Sequence, residues 1–69
     1  MYTQWVYVLT GAGRVICVVS DPLDARDFLP ADAKLLFFDL ANNYVRGGVV
    51  AAYSSEICGN FNVTAYPVF

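Results

Sequence analysis

Residues 5–19 read Trp-Val-Tyr-Val-Leu-Thr-Gly-Ala-Gly-Arg-Val-Ile-Cys-Val-Val, and this stretch decides the fold class. Its two halves, 5–9 and 15–19, consist of β-branched, aromatic and aliphatic residues, the types that suit a pleated strand. Between them Gly11 and Gly13 supply the positive φ that tight hairpin loops need. The reading is an antiparallel β-hairpin with its loop at 10–14. Neither half alternates cleanly between apolar and polar, so each is expected to be covered on both faces.

Working outward, Ser20-Asp21-Pro22 opens a different element. Asp21 is a good N-cap, Pro22 fits the first helical position, and Asp24 complements the positive end of the helix dipole. Pro30 stops the run. A short helix over about 22–29 is expected, with Leu23, Phe28 and Leu29 facing a sheet. Residues 33–40 admit two readings. A helix over 32–44 would gather Ala33, Leu36, Phe37, Leu40, Ala41 and Tyr44 on one stripe. The paired phenylalanines favour a strand instead, followed by a turn at Ala41-Asn42-Asn43.

Strand character resumes at Tyr44-Val45, breaks at Gly47-Gly48, and returns over 49–53. After a further break at Gly59-Asn60 the chain alternates. Phe61, Val63 and Ala65 fall on one side, and Asn60, Asn62 and Thr64 on the other, as in a strand with one wet face. Pro67 cannot donate to a ladder, so this strand end is expected at a sheet edge. The fold class is therefore α+β and β-rich. It is a mostly antiparallel sheet in the order β-β-α-β-β-β, with one short helix packed on it. The 69 residues form a single small domain.

Composition narrows the function. Apolar residues make up 58% of the chain and charged residues 14%, against roughly 45–50% and 25% in an average domain. So small a volume cannot hide that surplus, and a homo-oligomer, a two-fold dimer first of all, is the expected cover. The 49–53 and 61–66 segments are expected at or beside its interface, by edge pairing or by sheet-face packing. The net charge of −2, with four scattered basic residues, leaves no basic stripe for nucleic acid and no polybasic membrane patch. Apolar runs reach five residues, far short of the roughly 20 of a spanning helix, and no basic region precedes the first. A cytoplasmic protein is expected, in the host cytoplasm if virus-encoded.

Site motifs are sparse. Gly11-Ala12-Gly13 lacks the third small residue and the following helix of a dinucleotide-binding turn. Asp21, Asp24, Asp27 and Asp32 lack calcium-loop spacing, although Asp24 and Asp27 share a helix side and could meet a basic partner. Cys17 and Cys58 lack zinc-site spacing and any histidine to complete one; Cys17 reads as a buried, inert thiol, and both are expected to be free. Asn62-Val63-Thr64 matches a glycosylation acceptor that strand alternation explains as well. No cofactor or metal is expected. With histidine absent, and no base evident for Ser54 or Ser55, catalysis is not expected either.

Tyrosine and tryptophan are numerous for this length and favoured at interfaces. The expected partner-binding residues are Asp24, Asp27, Tyr44, Tyr53, Asn62, Thr64 and Tyr66. The expected function is a non-enzymatic protein-binding module, similar in size and style to phage or mobile-element accessory proteins, that inhibits or modulates a larger host protein. A self-assembling structural component is the alternative. A single-stranded nucleic-acid binder using exposed rings is a weaker one.

Overall fold

The computed structural model describes residues 4–40 and 48–68 of the chain. Five strands form one antiparallel sheet: β1 (Gln4–Gly11), β2 (Arg14–Val19), β3 (Lys34–Phe38), β4 (Val49–Ser55) and β5 (Gly59–Val68). Their spatial order is β2-β1-β5-β4-β3. A helix, Pro22–Phe28, joins β2 to β3 and packs mainly on β2 and β1. The β-rich, mostly antiparallel class with one short helix follows the sequence reading, the exact element order only in part, and 34–38 is a strand. Residues 41–47, with the expected turn at 41–43 and strand at 44–45, lie outside the described residues.

The first hairpin closes more tightly than a loop over 10–14. Gly11 pairs with Arg14, leaving a two-residue turn whose Ala12 and Gly13 have φ of 53° and 75°. Positive φ at both central residues follows the right-handed twist of the flanking strands. One row of inward side chains then crosses the whole sheet: Cys17, Leu9, Val63, Ala51 and Phe38. Leu9, Val63 and Ala51 at its centre are fully buried. A second row runs Gly11, Phe61, Tyr53 and Leu35. Beneath these rows Ala25 of the helix is also sealed from solvent.

Three expectations are corrected. The helix is a 3-10 helix, not an α-helix. Asp21 caps it by accepting from the Leu23 N–H at 3.0 Å, Pro22 takes the first position, and Leu29 leaves it in extended geometry ahead of Pro30. Three residues per turn align positions i and i+3. The segment presents Ala25 to the sheet, while Leu23 and also Phe28, in line with Ala25 but the last residue of the helix, stay more than half exposed. Second, β5 is the central strand, not an edge. Ala65 donates its N–H to the Gly48 carbonyl at 2.7 Å. Backbone groups two residues apart point the same way, so the donor-less nitrogen of Pro67 faces the β4 side, past Val49, the first residue of β4. Third, β2 is an edge strand with Val15 and Val18 exposed, so the first hairpin is not covered on both faces.

Candidate binding site

The alternation of β5 sorts its residues onto two sides of the sheet. Phe61, Val63 and Ala65 are buried on the helix side. Asn60, Asn62, Thr64, Tyr66 and Val68 point the other way, where no described element packs. The pairing register carries this open face across the neighbouring strands. Val6 lies opposite Tyr66, Val8 lies between Thr64 and Val18, and Thr10 lies between Asn62 and Val15. The Thr10 hydroxyl donates to the Asn62 carbonyl at 3.4 Å, tying β1 to β5 there.

The open face has an apolar side and a polar side. Val15, Val18, Tyr66 and Val68 are 60, 58, 52 and 44% exposed, and Val6 and Val8 between them are half-buried. Toward β4 the face carries Asn60, Asn62 and Ser54, with Ala52, 6% exposed, and the half-buried Phe37 beside them, and ends on Lys34 of β3. Fully burying a valine stabilises a complex by roughly 1.5 kcal/mol or more relative to leaving it exposed. A contiguous exposed apolar patch with a polar rim is the usual form of a contact surface.

The residues singled out from sequence divide among three places. Asn62, Thr64 and Tyr66 stand together on the open face of β5. Asp24 and Asp27 are exposed on the helix, across the sheet from them, and the 3-10 geometry stacks them one turn apart. Tyr53 is only 4% exposed and packs in the core cluster, so it offers no surface to a partner. Tyr44 lies outside the described residues. The valines of β1 and β2 completing the open face were missed because they read as core. No sequence signal marked them, because the strand order that leaves β2 at the sheet edge is not written in the hairpin itself.

A polar corner closes the other end of the sheet. The Ser55 hydroxyl stands 2.8 and 2.9 Å from the two Asp32 carboxylate oxygens. It also accepts the Ile57 and Cys58 N–H groups at 3.2 and 3.0 Å, and Asp32 accepts the Glu56 N–H at 3.0 Å. Ser55 is buried and fully occupied holding the 56–58 turn. The Asp32 carboxyl is held below the usual carboxylate range, the Ser55 hydroxyl contributing most.

Cys17 is half-buried in β2, and burial raises its thiol pKa; Cys58 is exposed in the turn. Neither is in a disulfide. Among the described residues no group of three or more His, Cys, Asp or Glu side chains is placed to hold a metal ion. No helix among them is long and apolar enough to cross a membrane. Comparison of the chain with protein-family models, with curated proteins and with solved structures finds no match.

Proposed function

We propose that this domain is a non-enzymatic protein-binding module that works through the open face of its sheet. The observation that carries the reading is the patch formed by Val15, Val18, Tyr66 and Val68 on a face that no described element covers. The first occupant proposed is a second copy of the chain, in a two-fold dimer placing one open face on the other. An isologous contact needs a self-complementary patch, and a flat apolar stripe is one. Modulation of a larger host protein through the same face is the wider role.

Edge pairing is the less favoured route to assembly. β4 and β5 are interior strands, so 49–53 and 61–66 cannot pair by their edges. The available edges, β2 and β3, each carry a register break, at Ile16 and at Leu36. Bulges of this kind blunt edges against open-ended strand addition. That argues for a closed dimer over a growing particle. The net charge of −2 weighs against nucleic acid on the same face.

Light scattering across a wide concentration range tests the proposal, with Val18→Asp and Leu36→Asp compared. A dimer abolished by Val18→Asp and kept by Leu36→Asp is expected. A monodisperse monomer at high micromolar concentration would refute the dimer. Loss of association only in Leu36→Asp would move the contact to the β3 edge.

A further inference from the structure

We draw no further inference here: the strongest candidate, the surface patch at the β4–β5 turn, where Ser55 and Asp32 hold the backbone N–H groups of 56–58 and Ile57 stands 85% exposed, carries nothing because no feature of the structure shows what covers it.

Discussion

Ser55 and Asp32, 23 residues apart, hold each other through a hydroxyl placed 2.8 and 2.9 Å from the two carboxylate oxygens. The pair joins the loop before β3 to the turn after β4, and Ser55 also accepts the Ile57 and Cys58 N–H groups. Ser55→Ala removes one donor and one acceptor at a buried site, which should cost about 1–3 kcal/mol. Urea unfolding of the variant measures it. A change within a few tenths of a kcal/mol would show that water replaces the hydroxyl.

The same pair sets a pH dependence. Asp32 is held below the usual carboxylate range, first by the Ser55 hydroxyl and then by the Ile57 and Glu56 backbone, against an opposing effect of burial. A carboxyl with a depressed folded pKa binds its proton more readily when unfolded. Its stabilisation is therefore complete above the unfolded value of about 4 and is lost as pH falls through the lower folded value. Unfolding midpoints across about pH 6 to 2 should fall more steeply for the native chain than for Asp32→Asn. Parallel curves would mean that Asp32 carries no such linkage.

What was legible in the sequence was local. The residues of 5–9 and 15–19 favour strands wherever they lie, and Asp21, Pro22 and Pro30 mark helix ends by their own backbone chemistry. The faces of that helix were not legible, because a period of 3.0 and one of 3.6 diverge within two turns. Only packing of Ala25 on the sheet decides between them. The alternation of Phe61, Val63 and Ala65 was legible, but strand order was not. Pro67 read as an edge marker, yet it sits on the central strand, paired with Trp5 of β1. Tyr53 read as an interface residue, and its register beside Phe61 puts it in the core. The Asp32–Ser55 clamp joins residues distant in sequence, and no short-range pattern announces it.

Gly11 makes room for Phe61. The two are paired across β1 and β5, and a Cβ on Gly11 would stand 2.6 Å from the Phe61 Cε1, with the Ile16 side chain at 3.2 Å on another side. The phenylalanine ring therefore lies over the glycine backbone. Gly11→Ala should destabilise by about 1–3 kcal/mol, as overpacking does. Phe61→Leu in the same chain should recover part of that loss. Equal stability of Gly11→Ala and the native chain in urea would show that the ring moves aside freely.

Ala12 is the one non-glycine residue with positive φ among the described residues, at 53°. An L-residue with a plain Cβ is disfavoured there, whereas asparagine tolerates the left-handed region and Asn-Gly is the preferred pair for this turn. Ala12→Asn should stabilise the hairpin by about 0.5–1 kcal/mol, raising the melting temperature by several degrees in a domain of this size. Calorimetry of the two proteins checks it. An unchanged or lower melting temperature would contradict the turn geometry.

The two thiols should differ in reactivity by position. The thiolate is the reacting form, and burial in β2 raises the Cys17 pKa, outweighing the backbone hydrogen bond at Leu9 that lowers it. Its side chain also packs against the core cluster beside Leu9, so an alkylating reagent meets both a protonated sulfur and a steric wall. Cys58 lies exposed in the 56–58 turn, with its backbone N–H held by Ser55 and its side chain toward solvent. Under native conditions one thiol, Cys58, should label rapidly with a maleimide. Cys17 should follow slowly and speed up in urea as the sheet opens. Timed alkylation with peptide mapping resolves the order. Labelling of Cys17 as fast as Cys58 in the folded protein would mean that β2 frays from β1. That result would also weaken the case for an open face built on Val15 and Val18, since both valines are placed by the same strand pairing.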